Sequence, residues 1–290
     1  MATLERAILA ACLLEVTARK PGNVHPLAAF DDCDWTTFCE SAAAIAPVLG
    51  RPRRGSVGKM VLEAVEATRA RAGRNTNLGM ILLLAPLAAA DDVFSSDGVE
   101  AVLRKTSVED CRLIYEAIRL ARPGGLGRVE HADVEESPDL PLIEAMRLGA
   151  ERDLVARQYV TGFADVFRLS QQFHATELPE LEREIIRACV TQLAREPDSL
   201  IARKCGAGVA EEASPRARRV LEKNGAGLHE LDAWLRSDGN RRNPGTTADL
   251  IAAALFVAIR AGYVPCLRVE EIMEFGERIK AAGLVIPPTI

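Results

Sequence analysis

The side chains able to do chemistry in this chain gather in a few short stretches. The first is Glu15-Val-Thr-Ala-Arg-Lys-Pro-Gly-Asn-Val-His25, followed closely by Phe30-Asp-Asp-Cys-Asp34. The second is Arg74-Asn-Thr-Asn-Leu-Gly79, and the third is Pro123-Gly-Gly-Leu-Gly127 with Glu130, His131 and Asp133. A fourth runs from Pro197 to Lys204, and the last from Asp238 to Asp249. Backbone N–H groups at helix starts bind anions, and glycine lets a phosphate approach the chain closely. Lys20, Lys204, Arg241 and Arg242 add positive charge to such sites. Asp31, Asp32 and Asp34 have the chemistry to hold Mg²⁺ through one or two carboxylates while the metal bridges substrate phosphates. The competing reading of the same trio is a helix cap at Asp34 with solvated acids before it.

Several better-known motifs fail here. Gly55-Ser-Val-Gly-Lys-Met60 has the wrong spacing for a phosphate loop, and Met60 stands where a hydroxyl is required. Gly206-Ala-Gly208 has neither a preceding strand nor a third glycine, so it is no dinucleotide fingerprint. Four histidines are too few for an elaborate transition-metal site.

Helices must position these loops. Apolar residues recur at helical spacing almost throughout, aromatic residues are only 4%, and β-branched alternation is scarce. An all-α fold follows, read as a single helical domain over residues 1–290 with no repeat and no long linker. A first helix is expected over Leu4 to Thr17, stopped by Pro21 and Gly22. Asp34 reads as the N-cap of a second, and Ser107 with Asp110 as a capping box. Ser214-Pro215 reads as a helix start with Gly225 as its stop, and Thr246 or Thr247 as the cap of a later helix. Leu78 to Ala90 is apolar on every side and belongs in the centre of a bundle.

The 36 basic and 41 acidic residues give a net charge of −5, which argues against a general nucleic-acid surface. A small anionic substrate needs only a few local cations and stays compatible with that balance. Seven cysteines without Cys-x-x-Cys spacing read as buried free thiols. No apolar run is long enough to span a bilayer. Glu5, Arg6 and Glu15 break any signal-peptide pattern, so the expected location is the cytoplasm.

Taken in order, the loops resemble the triphosphoribosyl-dephospho-CoA synthase family. The resemblance rests on Glu15 ahead of Lys20-Pro-Gly-Asn-Val24, then Asp32, Phe38 and Ser41-Ala42. It continues with Gly73-Arg-Asn-Thr-Asn-Leu-Gly79 and Arg241-Arg-Asn-Pro-Gly-Thr-Thr-Ala-Asp-Leu250, with a weaker echo around Asp198 and Arg203. It spans roughly residues 5 to 260. Where the family loop carries His-Lys before its glycine, this chain has Asn77 and Leu78, and the run Asp153 to Phe167 looks like a divergent branch.

The resemblance implies transfer of the 5-triphosphoribosyl group of ATP to a ribosyl hydroxyl, such as that of 3′-dephospho-CoA, with release of adenine. It implies Mg²⁺ accompanying ATP, with Asp32 and Asp133 as metal ligands. Glu15, Asp32 and Asp249 become the catalytic carboxylates, with Asp32 on the metal or acting as general base. Lys20, Gly22, Asn75, Thr76, Asn77, Asp198, Lys204, Arg241, Asn243 and Thr246 become the substrate contacts. The implied partners are small molecules rather than nucleic acid or membrane, and a homodimer stays open. The divergence also admits an acceptor from pterin-linked one-carbon cofactor biosynthesis. Two further readings stay open: a non-catalytic helical nucleotide-binding or scaffold protein, and an isoprenoid-type transferase suggested by Asp31-Asp-Cys-Asp34, although a second aspartate-rich cluster is missing.

Overall fold

The computed structural model describes residues 3–51, 56–91, 95–123, 134 and 138–283. Among the described residues the chain forms fifteen α-helices and no strand. The first six are α1 (Leu4–Thr17), α2 (Trp35–Leu49), α3 (Val57–Ala72), α4 (Leu78–Ala89), α5 (Ser96–Leu103) and α6 (Val108–Ala121). Shorter helices follow as α7 (Leu142–Gly149), α8 (Leu154–Thr161) and α9 (Ala164–Ser170), before the long α10 (Leu178–Arg195). The remainder are α11 (Ser199–Cys205), α12 (Ala207–Glu222), α13 (Leu228–Arg236), α14 (Gly245–Ala261) and α15 (Val269–Ala282).

Local chemistry sets many of these boundaries. Asp34 accepts from the Thr37 amide at 2.9 Å while Thr37 reaches back to the Asp34 amide, closing a capping box at α2. Ser107 and Asp110 close the same reciprocal box at α6. The α1 bounds match the expected ones, and α4 ends one residue short of Ala90.

The central elements are α1, α4 and α14, each buried over most of its length. Such helices hold no amphipathic stripe because apolar neighbours surround them. In this bundle α1 packs on α2, α14 and α15, and α14 packs on α1, α4, α9 and α10. A second, smaller cluster joins Ile186, Val190 and Leu193 of α10 to Ala210, Ala213 and Ala217 of α12 and to Leu228, Leu231 and Leu235 of α13. The helix α10 thus belongs to both clusters.

Two expected helix starts are corrected. Ser214 and Pro215 lie inside α12, which begins at Ala207 directly after Gly206 at φ +93°. Burial of Ala210, Ala213 and Ala217 against α10 outweighs the local cost of an internal proline. The expected stop does operate: Gly225, at φ +91°, donates its amide to the Val220 carbonyl, a helix-closing bond. Neither Thr246 nor Thr247 caps α14 as flanking residue, since both lie within it. The Thr247 amide is satisfied from another element, as described below.

Among the described residues no helix is long and apolar enough to cross a membrane.

Candidate active site

The loops before α2, α4 and α14, together with the helix α11, converge on one cavity of about 1430 Å³. Its wall includes Glu15 at the end of α1, the Asn75-Thr76-Asn77 loop, and Asn243, Thr246 and Asp249 at the start of α14. The helices α6, α7 and α8 supply another side, with Tyr115, Ile118, Met146, Leu148, Arg152 and Asp153. The cavity therefore has a polar end under α4 and α14 and an apolar end between α6 and α7.

Three carboxylates at and beside the floor are in different states, Glu15 and Asp249 on the cavity wall and Asp198 off it. Glu15 is buried, and the Lys20 ammonium sits 2.9 Å from its Oε1. Burial pushes the Glu15 carboxyl up while Lys20 pulls it back. Asp198 is buried and fully engaged: Oδ1 accepts from the Leu200 and Ile201 amides at 2.9 and 3.1 Å, and Oδ2 accepts from the Thr247 amide and hydroxyl at 2.7 and 2.8 Å. Asp249 is partly open to the cavity, and among the described residues no hydrogen bond or ion pair reaches its carboxylate. Burial, then Glu15 and Asp198, raise its pKa well above the usual carboxylate range, with Arg203 opposing them.

The Asp249 carboxylate presses against the first turn of α4. A Cβ built on Gly79 would lie 1.9 Å from Asp249 Oδ2, so this position admits only glycine without displacing the acid. That requirement explains the glycine at the end of the Asn-Thr-Asn-Leu-Gly loop better than anion binding does. Within the loop, Asn75 Oδ1 accepts from the Leu78 amide at 3.1 Å, and the Thr76 hydroxyl donates to Ser41 at 2.6 Å. Asn77 is buried and accepts from the Thr68 hydroxyl at 3.1 Å.

Cations line the cavity as well. Arg203 pairs with Asp153, and the Lys204 ammonium donates to Asn243 Oδ1 at 3.1 Å. Burial holds Lys204 below its ordinary lysine value. Together with Arg69, Arg74, Arg122 and Arg152, six cations face the cavity against the four carboxylates Glu15, Asp32, Asp153 and Asp249. A chain of net charge −5 thus surrounds this space with net positive charge.

The structure brings Glu15, Asp32, Asn75, Thr76, Asn77, Lys204, Asn243, Thr246 and Asp249 to the cavity wall, and it leaves Lys20, Gly22, Asp198 and Arg241 off it. Lys20 is 0% exposed and committed to Glu15, because a buried ammonium needs a partner. Gly22, at φ +73°, donates its amide to Asp232 at 2.7 Å, and a Cβ there would meet Leu235 at 2.8 Å. The Lys-Pro-Gly loop is therefore an internal clamp to α13, not a phosphate cradle. Asp198 ties helix ends together, and the exposed Arg241 braces the Lys204 carbonyl at 2.6 Å.

Asp32 stands at the cavity rim with its side chain 72% exposed and 3.1 Å from Arg74. The second expected metal ligand, Asp133, lies outside the described residues. Among those residues no group of three His, Cys, Asp or Glu side chains could hold a metal. Sequence reasoning missed Arg152 and Asp153, whose only signal was the stretch from Asp153 onward.

A sequence model of the ATP:dephospho-CoA triphosphoribosyl transferase family matches residues 1–264. A crystal structure of a candidate triphosphoribosyl-dephospho-CoA synthase from Archaeoglobus fulgidus is similar, with 27% identity and a TM-score of 0.64. That similarity covers 77% of this chain and 98% of the other. A search of curated proteins finds no match.

Proposed function

Because the chain belongs to the ATP:dephospho-CoA triphosphoribosyl transferase family, we propose that its cavity moves the 5-triphosphoribosyl group of ATP onto a hydroxyl of a dephospho-CoA-like acceptor and releases adenine. The observation that carries this reading is the reversal of charge at the cavity, a positive wall within an acidic chain. Both substrates are polyanions. At about 1430 Å³ the space also exceeds the roughly 300–1,000 Å³ usual for one small ligand, as a two-substrate reaction requires.

Lys204, Arg203 and Arg152 bind the triphosphate, and charge-assisted hydrogen bonds of this kind are the strong ones. Asn75, Thr76, Asn243 and Thr246 orient ribose hydroxyls and the base edge. Breaking the bond between C1′ and adenine passes through an oxocarbenium-like state, as in other glycosyl transfers. Glu15, paired with the Lys20 ammonium, takes the proton of the attacking acceptor hydroxyl. The described residues do not fit a resident Mg²⁺ site, since Asp32 is exposed and bound to Arg74. Mg²⁺ enters with ATP as part of the substrate.

The test is chromatography for free adenine after incubating the full chain with ATP, Mg²⁺ and 3′-dephospho-CoA. Adenine appearing in step with acceptor consumption supports the reading. ADP or pyrophosphate in its place sinks it. Binding of ATP without adenine from any acceptor favours the scaffold reading, to which the loss of a cation at Leu78 points. Adenine release with a pterin precursor but not with dephospho-CoA would reassign the acceptor alone.

A further inference from the structure

We propose that Asp249 carries the proton that adenine takes as it leaves the ribose, and that Gly79 is the positioning residue that makes room for it. This rests on the transferase reading above and assigns one step within it. Glu15 and Asp249 line the polar end of the cavity, Asp198 is a buried acid that acts on Asp249, and two of the three already have compensation. Glu15 has Lys20, and Asp198 has four donors. Asp249 has neither, though it faces the space where the substrates meet.

The groups that act on Asp249 are Glu15 from α1, Asp198 at the start of α11, Asp153 before α8 and Arg203 in α11. Three of these four are acids, and the one cation is held by Asp153. Cys12 of α1, which also feels Asp249, is a buried neutral thiol. An ionised Asp249 would therefore be a fourth negative charge among carboxylates, without a partner of its own, in a partly desolvated place. Such an acid keeps its proton, and a neutral carboxyl donates one.

The proton inventory closes. The electron pair of the C1′–N bond leaves with adenine, and a ring nitrogen of the base takes the Asp249 proton. The acceptor oxygen bonds to C1′, and its hydroxyl proton goes to Glu15. Exchange with solvent through the open cavity returns both acids to their starting states.

Two measurements decide the proposal. The first is the infrared spectrum of the ligand-free full chain at neutral pH, which should show the C=O stretch of a protonated carboxyl that disappears in Asp249→Asn. Its presence in both proteins, or its absence from the wild type, overturns the assignment whether or not dephospho-CoA is the acceptor. The second compares ATP with 4-nitrophenyl riboside 5-triphosphate, whose leaving group needs no proton. Asp249→Asn should lose at least ~10²-fold in kcat with ATP yet stay within about tenfold of wild type with the aryl riboside. Equal losses with both donors mean that Asp249 binds or shapes the site and donates nothing. Gly79→Ala leaves the acid in place chemically but displaces it, and should lose activity with ATP selectively as well. Wild-type release of nitrophenol without any release of adenine from ATP would count against the transferase reading while the infrared result still judges Asp249.

Discussion

At the cavity floor Glu15 lies buried with Lys20 against it, whereas at the rim Asp32 meets Arg74 with 72% of its side chain exposed. Both are acid–base pairs whose acids belong to the first stretch of the family resemblance. Their energetic meaning differs because water screens one and not the other. Removing a partner at the floor strands a charge in a place that cannot solvate it, while at the rim water replaces the partner. The contrast also assigns roles: the fixed floor can hold a defined protonation pattern, and the rim can only attract.

The most severe way to test this contrast is Lys20→Met. Breaking a buried pair on one side costs about 3–5 kcal/mol, and chemical denaturation should show a loss of that order at neutral pH. The loss should shrink in acid, where the stranded Glu15 becomes neutral. A loss below about 1 kcal/mol would place Lys20 on the screened side of the comparison.

Next in size is Lys204→Ala, on the cation wall between floor and rim. A charge-assisted bond to phosphate is worth about 1.5–3 kcal/mol, so the KM for ATP should rise roughly tenfold or more with a smaller change in kcat. An unchanged KM would move the triphosphate elsewhere in the cavity.

A subtler effect concerns pH. The folded chain holds the Asp249 proton to higher pH than the unfolded chain does. This contribution to stability is therefore complete below the unfolded pKa and is lost as pH rises toward the folded one. Asp249→Asn removes that loss. It should melt above the wild type at neutral pH and together with it below about pH 3.5, where both carry a neutral side chain. Lower melting of the variant at neutral pH would show an ionised, stabilising Asp249.

Smallest of all is Asp32→Asn, which should change stability by no more than about 0.5 kcal/mol and turnover by only a few fold, since the group is exposed and its pair screened. A hundredfold fall in turnover would restore Asp32 to the catalytic centre, where its place in the family motif put it.

What the sequence made legible was local. Asp34 and the Ser107–Asp110 pair cap helices within three residues of themselves, and the apolar run from Leu78 can only be an interior helix. The loop before that helix lies on the cavity wall through Asn75, Thr76 and Asn77. Partners distant in sequence were not legible. Nothing near Gly22 signals that its amide belongs to Asp232, or that Leu235 fills the space where a side chain would stand. Pro215 misled for the same reason, because the contacts that hold it inside α12 come from α10. Lys20 looked like a phosphate ligand until burial revealed Glu15 as its partner.

Asp198 has a consequence for the motions of the chain. One oxygen holds the first amides of α11, in the small cluster, and the other holds Thr247 of α14, in the large one. Opening of the small cluster by itself would pull this carboxylate from Thr247 and leave a buried amide without an acceptor. The two clusters are thereby coupled in their fluctuations, although each has its own apolar interior. Solvent hydrogen exchange at the Thr247 amide should then follow the opening of α11 rather than that of its own helix, making it a reporter for a cluster to which it does not belong.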